Sequence, residues 1–153
     1  MNIAVSTEEQ TPLVEKLLNE LKKRNHHITY FGPEKGESVD WPVVTEQAAT
    51  LVAEGKADQG IVMCWTGTGA SIAANKVNGI RAALCRDAET AKGARTWNHA
   101  NVLAISLQMT DDATLKAILD AWFSTPYSND DWNLEQITRI DKLERTPPSN
   151  SDT

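Results

Sequence analysis

The sequence has little cysteine, no long apolar run and no excess of positive charge. Its two cysteines are too few for a disulfide scaffold and favour a reducing compartment. No apolar run approaches the ~18 residues of a membrane-spanning helix, and the first residues lack the basic and apolar segments of a signal peptide. The formal net charge of -6 disfavours nucleic acid and anionic membranes as partners. We therefore expect a cytoplasmic protein that binds neither nucleic acid nor membrane.

The composition is that of one folded domain. The chain has 153 residues, of which 41% are hydrophobic and 24% are charged, and this length suffices to bury a single core. We assign the domain to residues 1–145. Residues 146–153 are rich in Pro, Ser, Asn and Asp, and we expect this tail to be disordered.

Short apolar runs alternate with amphipathic segments along the domain. The run Gly60–Cys64 is continuous, which is typical of a strand covered on both faces. Further strands are predicted at 3–5, 28–31, 80–85 and 102–105. Helices are predicted to begin at about residues 12, 40, 70, 87, 110 and 132. This alternation predicts an α/β fold with a mainly parallel sheet of five strands and helices on both faces.

The residues best suited to chemistry follow the third predicted strand. Cys64 ends that strand, and a glycine-containing turn from Trp65 to Gly69 precedes the next helix. Backbone N–H groups in such a turn converge on an anion and favour a thiolate. A base beside an amide cradle suits proton abstraction alpha to a carbonyl. From the residues alone, the alternative is that Cys64 is a small buried core residue.

A longer motif surrounds this turn. Residues 60–82 read Gly-Ile-Val-Met-Cys-Trp-Thr-Gly-Thr-Gly-Ala-Ser-Ile-Ala-Ala-Asn-Lys-Val-Asn-Gly-Ile-Arg-Ala. This stretch resembles the core motif of the type B ribose 5-phosphate isomerases, a family that includes the galactose 6-phosphate isomerase subunits. Weaker similarities at 40–42, 98–103 and 120–122 extend the resemblance to about residues 1–144.

The resemblance implies a Rossmann-like three-layer α/β/α sandwich, and a homodimer or dimer of dimers with active sites shared between subunits. It implies aldose–ketose isomerisation without a metal or an organic cofactor. In the family, the matching cysteine moves a proton between C1 and C2, and the matching threonine and loop amides stabilise the enediolate. These roles would belong to Cys64, Thr66, Gly67 and Gly69, with Ser71 opening the helix.

Several positions depart from the family pattern where the family binds phosphate or opens the sugar ring. The family's Asp-His after the first strand aligns with Glu8-Glu9. Glu8 can still contact a sugar hydroxyl, whereas the carboxylate of Glu9 repels phosphate. The Gly after the catalytic cysteine is Trp65. The family's ring-opening His aligns with Trp97, and its Arg after the fifth strand aligns with Gln108. Two further phosphate-binding arginines of the family belong in the region of Trp132 and Gln136, which are uncharged.

These departures lead to the hypothesis that the substrate is an unphosphorylated sugar or a sugar derivative. Aromatic faces pack against the C–H faces of sugars, and carboxylates and amides hydrogen-bond neutral hydroxyls. Glu8 joins Cys64 and Thr66 as a predicted catalytic residue. The predicted substrate-binding residues are Glu9, Asp40, Trp41, Trp65, Gly67, Thr68, Gly69, Ser71, Trp97, Asn98, His99, Trp132 and Gln136. No metal ligand is predicted.

Several alternatives stay open. Each tryptophan can instead pack in the core or in a subunit interface. His99 either takes over ring opening after a small loop shift or is a surface residue. A phosphorylated ligand can bind through other cations, such as Arg86, Arg95 or Arg139. The chain can also be a non-catalytic or partner-dependent subunit, a sugar-binding protein, or an ordinary ribose 5-phosphate isomerase.

Overall fold

Five parallel strands form one sheet in the computed structural model, which describes residues 1–145. The spatial order is β2-β1-β3-β5-β4, and every strand is parallel to its neighbours. The predicted α/β fold is therefore confirmed, while the predicted disordered tail lies outside the described residues. The strands are β1 Asn2–Thr7, β2 His27–Phe31, β3 Gln59–Cys64, β4 Ala82–Leu84 and β5 Val102–Ser106.

Helices connect the strands, and their starts lie close to the predicted positions. The strand predicted at 80–85 is shorter than expected, because Ile80 belongs to the turn after α3, where its N–H donates to Val77 O at 3.2 Å. The fourth helix extends to Asn98, and His99 then adopts a left-handed φ of 48°. The helices are α1 Pro12–Lys23, α2 Trp41–Ala53, α3 Thr68–Asn75, α4 Ala88–Asn98, α5 Asp112–Ser124 and α6 Asp131–Arg145.

Two apolar cores lie on opposite faces of the sheet. One core joins the sheet to α1, α4 and α5, and the other joins it to α2 and α3. Successive residues of β3 alternate between them: Ile61 and Met63 belong to the first core, Val62 and Cys64 to the second. This explains the continuous apolar run, since both faces of a central parallel strand are buried.

Side chains also define where helices begin and where the sheet ends. Asp111 caps α5 by accepting from Thr114 N–H at 2.7 Å. Asp40 directly precedes α2 but makes no such bond, because Pro42 has no N–H and Val43 N–H donates to Asp40's own carbonyl at 3.1 Å. At the free edge of β4, the Asn75 amide accepts from the Ala82 N–H at 2.8 Å and donates to the Ala82 carbonyl at 2.9 Å.

Candidate active site

The loops after β1 and β3 meet where the winding of the chain reverses. β1 and β3 are neighbours, and the chain continues from them toward opposite edges of the sheet. In open parallel sheets, ligands bind at the carboxyl ends of the strands beside such a reversal. Glu8 directly follows β1 and Cys64 ends β3, so two predicted catalytic residues lie at this crevice.

Cys64 faces the beginning of α3. Its side chain belongs to the core beneath α2 and α3 and is 5% exposed. The Ala70 N–H, in the first turn of α3, donates to Cys64 Sγ at 3.4 Å. The sulfur thus occupies the position that a side-chain oxygen takes when it caps a helix, at the positive end of the helix dipole.

The loop after Cys64 presents unpaired backbone amides. Gly67 has a φ of 75°, and a Cβ there would lie 2.5 Å from Leu84 Cδ1 and 2.9 Å from Ser106 N, so only glycine fits. Within residues 1–145, the N–H groups of residues 66–69 have no hydrogen-bond partner. Adjacent unpaired amides at a helix start are suited to hold an anion.

Trp65 is held by hydrogen bonds from both neighbouring strands. Its N–H donates to Glu8 Oε1 at 2.7 Å. Its carbonyl accepts from Ser106 Oγ at 2.8 Å and from the Gln108 N–H at 3.0 Å. The Trp65 indole remains 53% exposed. One Glu8 oxygen is therefore occupied by the loop, and Oε2 has no hydrogen-bond partner within the described part of the chain.

Most of the other predicted residues lie near the loop of residues 65–69. The Trp41 indole covers the start of α3, since a Cβ on Gly69 would lie 3.0 Å from it. The hydroxyls of Thr66 and Thr68 are 2.7 Å apart. Glu9 and Asp40 lie beside the loop that leads into α2. Ser71 does not open α3, as expected, but is its fourth residue, because the helix already begins at Thr68.

Most of the remaining predicted residues lie at the amino ends of the strands, a region that we call the α4–α6 end. Helix α4 runs back from β4 toward the start of β5, so Asn98 and His99 lie there. Asn133 Nδ2 is 3.1 Å from His99 Nε2 and joins α6, which carries Trp132 and Gln136, to this end. Within one chain, the structure therefore does not bring these four residues to Cys64. The Trp97 side chain instead packs over Gly93 and lines a surface pocket with Leu84 and Arg86.

His99 is neither at the surface nor directed into the Cys64 crevice. It is 7% exposed, and Nε2–H donates to Ser128 O at 2.7 Å. Its ring stacks on Tyr127 with centroids 4.3 Å apart. The surface alternative for His99 is therefore wrong. By contrast, Trp97 and Trp132 are 62% and 67% exposed, so neither is a core residue of the single chain.

The three arginines considered as alternative phosphate ligands differ in their surroundings. Arg95 donates to Ala100 O at 2.7 Å and to Tyr127 Oη at 2.8 Å at the α4–α6 end. Arg139 pairs with Glu135 on α6. Arg86 directly follows the β4–Cys85 segment at the carboxyl edge; its exposed side chain lies 3.5 Å from Asp87.

The second thiol contrasts with Cys64. Cys85 is buried, and its Sγ is 3.6 Å from Ala83 O. Burial, reinforced by the nearby Asp87 carboxylate, raises the pKa of Cys85 to about 12.

Ser106, which was not among the residues predicted from the sequence, holds the loop after Cys64 through Trp65 O. The signal was a serine that interrupts an apolar strand where the strand reaches the binding edge.

Residues 1–145 contain neither a candidate metal site nor a helix that could span a membrane. No cluster of three or more His, Cys, Asp or Glu side chains in residues 1–145 is placed to hold a metal ion. No helix in the same range has the length and apolarity to cross a membrane.

Comparison with known proteins identifies the family. Residues 3–143 match the model of the Ribose/Galactose Isomerase family. The chain belongs to this family. It is 35% identical over 144 residues to galactose-6-phosphate isomerase subunit LacB of Clostridium acetobutylicum, covering 94% of this chain and 83% of that protein. It is 36% identical over 132 residues to ribose-5-phosphate isomerase B of Escherichia coli, covering 85% and 89% of the two chains.

Solved structures agree with this family assignment. The type B ribose 5-phosphate isomerase of Trypanosoma brucei superposes with a TM-score of 0.88 at 37% identity, covering 93% of this chain and 97% of that one. The Ribose/Galactose Isomerase family places the chain among the sugar isomerases, and its fold is the Rossmann-like α/β sandwich.

Proposed function

We propose that this chain isomerises an aldose and a ketose with Cys64 as the base. The observation that carries the proposal is the position of Cys64 Sγ, 3.4 Å from the Ala70 amide and beside the unpaired amides of residues 66–69. The thiolate takes the proton from C2 of an open-chain aldose; the C–H electrons form the C1–C2 double bond and the C1=O π electrons move onto O1, giving an enediolate. The thiol returns that proton to C1, while the hydroxyl proton of O2 passes to O1, giving the ketose.

The residues around Cys64 divide the remaining work. Loop amides and the Thr66 hydroxyl stabilise the negative charge on the enediolate oxygen. Glu8 Oε1 is held by Trp65 N–H at 2.7 Å, which leaves the other carboxylate oxygen to accept from a sugar hydroxyl. The indoles of Trp41 and Trp65 provide apolar walls for the C–H faces of a sugar.

The substrate we propose is an unphosphorylated sugar or sugar derivative. Glu8, Glu9 and Asp40 give the crevice negative charge, which opposes a phosphate. Arg95 and Arg139 are engaged at the α4–α6 end. The relatives named above act on sugar phosphates, so Arg86 is the cation to test if a phosphate binds here.

A second copy of the chain is proposed to complete the site. Trp97 and Trp132 are exposed on the surface of the single chain. A homodimer or dimer of dimers with shared sites would bring them against a neighbouring crevice.

Both cysteines are free thiols, which supports a cytoplasmic location. We propose no metal or organic cofactor.

One observation favours a second candidate, a partner-dependent subunit. The predicted site is incomplete within one chain, and one relative is named as a subunit of galactose-6-phosphate isomerase. In that case the chain alone would bind sugar without turning it over.

Proton exchange in D2O, followed by NMR, tests these proposals. Neutral pentoses and hexoses are compared with their phosphates, using wild type and Cys64→Ala. We expect exchange at C1 or C2 of a neutral sugar, reduced by about 10²–10⁴-fold in the variant. Undiminished exchange in Cys64→Ala would overturn the mechanism. Exchange with phosphosugars only, lost in Arg86→Gln, would overturn the neutral substrate. A folded homo-oligomer without exchange would favour the partner-dependent subunit.

A further inference from the structure

The peptide bond between Trp65 and Thr66 is anchored by a buried hydroxyl. Ser106 is 8% exposed at the end of β5. Its Oγ accepts from the Met109 N–H at 3.0 Å and donates to Trp65 O at 2.8 Å. The Met109 amide occupies a lone pair of Oγ, so the hydroxyl proton is directed at the Trp65 carbonyl. The Gln108 N–H donates to the same carbonyl at 3.0 Å.

The other end of that peptide is the N–H of Thr66. Among residues 1–145 every peptide bond is trans, so this N–H points away from Ser106. It has no hydrogen-bond partner among the described residues. Hydrogen bonds to a carbonyl polarise the amide and strengthen its N–H as a donor. Two hydrogen bonds on Trp65 O therefore prepare the Thr66 amide for an anion.

We propose that Ser106 is a positioning residue for the isomerisation. Through Trp65 O it fixes and polarises the Trp65–Thr66 peptide, so that the Thr66 N–H receives the negative charge that develops on the substrate carbonyl oxygen. This inference rests on the proposed function of the Cys64 loop. Ser106 itself does not touch the substrate.

This role predicts a kinetic signature that a purely structural serine would not produce. A donor that strengthens only when charge develops lowers the transition state more than the bound ground state. Its loss therefore reduces kcat while KM stays nearly constant. A structural serine would instead lower the midpoint of unfolding and leave the turnover of the folded fraction unchanged.

The test compares Ser106→Ala with two matched variants. Ser106→Thr keeps the hydroxyl. Ser6→Ala removes a hydroxyl that is also buried, on β1, but has no hydrogen-bond partner among residues 1–145. With the sugar that exchanges fastest, we expect Ser106→Ala to lower kcat by about tenfold and KM to change less than about twofold. Ser106→Thr should recover most of kcat, and Ser6→Ala should match wild type.

Binding of a charged mimic gives a readout that does not need turnover. Erythronohydroxamate is a planar mimic of an enediolate, and calorimetry measures its Kd. We expect Ser106→Ala to weaken it about tenfold, while Ser106→Thr and Ser6→Ala keep the wild-type affinity. Equal affinity and equal kcat in Ser106→Ala and Ser6→Ala would overturn the role of Ser106. Exchange that survives in Cys64→Ala would instead overturn the proposed function, so the two failures are distinguishable.

Discussion

The carboxyl edge and the α4–α6 end use their polar groups in opposite ways. At the carboxyl edge the amides of residues 66–69 have no partner among the residues that the structure describes. At the α4–α6 end the side chains of His99, Arg95 and Asn101 all donate to backbone carbonyls. Unpaired polar groups near a core cost free energy unless a ligand or water takes them. We therefore expect the chemistry at the carboxyl edge, while the hydrogen bonds at the α4–α6 end hold that end rigid.

The largest expected effect compares a buried with an exposed tryptophan. Trp122 is fully buried, and its Nε1–H donates to Gln59 Oε1 at 2.8 Å. We expect Trp122→Ala to lower the free energy of unfolding by about 4 kcal/mol. Trp97→Ala should change it by less than about 0.5 kcal/mol yet reduce isomerase activity. Urea unfolding at low protein concentration measures both, and a large loss of stability in Trp97→Ala would contradict the comparison.

The second prediction concerns two glycines with positive φ. A Cβ on Gly67 would collide with β5, whereas nothing lies within 4 Å of one on Gly36. Gly36→Ala should cost about 1 kcal/mol, the price of a left-handed backbone alone. Gly67→Ala should cost about 3 kcal/mol, because overpacking adds to that strain. Thermal unfolding of both variants tests this, and equal costs would mean that the loop does not lie against β5.

The third prediction asks whether His99 supports the fold or reacts with the sugar. His99→Leu removes the 2.7 Å hydrogen bond to Ser128 O, which keeps only the 3.3 Å hydrogen bond from Asn133 Nδ2, and should cost about 2 kcal/mol. Isomerisation by the folded variant should persist. Unchanged stability together with lost activity would restore the ring-opening role considered for this histidine. Unfolding curves and activity assays on the same preparation separate the outcomes.

The smallest expected effect concerns the ion-pair network around Glu20 on α1. Hydrogen bonds from Arg24 and Lys23 lower the pKa of Glu20 from 4.5 to about 2. A lowered pKa stabilises the fold above about pH 4.5, and this contribution is lost as the pH falls toward 2. Glu20→Gln should therefore be less stable than wild type at pH 6, and the difference should shrink on acidification. A pH-independent difference in urea midpoints would contradict the assignment.

Much of the fold was predictable because its signals are local. The apolar run Gly60–Cys64 and the helix starts near residues 12 and 110 each depend on neighbouring residues, and these predictions are confirmed. The shortness of β4 was not predictable, because Ile80 is as apolar as a strand residue but lies in a turn.

The candidate site divides in the same way. The Cys64 loop could be predicted, since glycines and a strand end are read directly from the sequence. The contacts of Trp65 could not, because they join residues 57 and 41 positions apart through strand register. The burial of His99 could not be predicted either, since Ser128 and Tyr127 reach it from another helix connection.

Asn75 has a consequence for how copies of the chain can associate. Its amide occupies both outward-facing backbone groups of Ala82 on the edge strand β4. An amide side chain thereby imitates one residue of an adjoining strand, and a true strand cannot hydrogen-bond there until Asn75 leaves. Exposed strand edges are templates for uncontrolled sheet extension. At Ala82, assembly must therefore use side chains rather than a backbone ladder, which disfavours growth of a fibre through this strand.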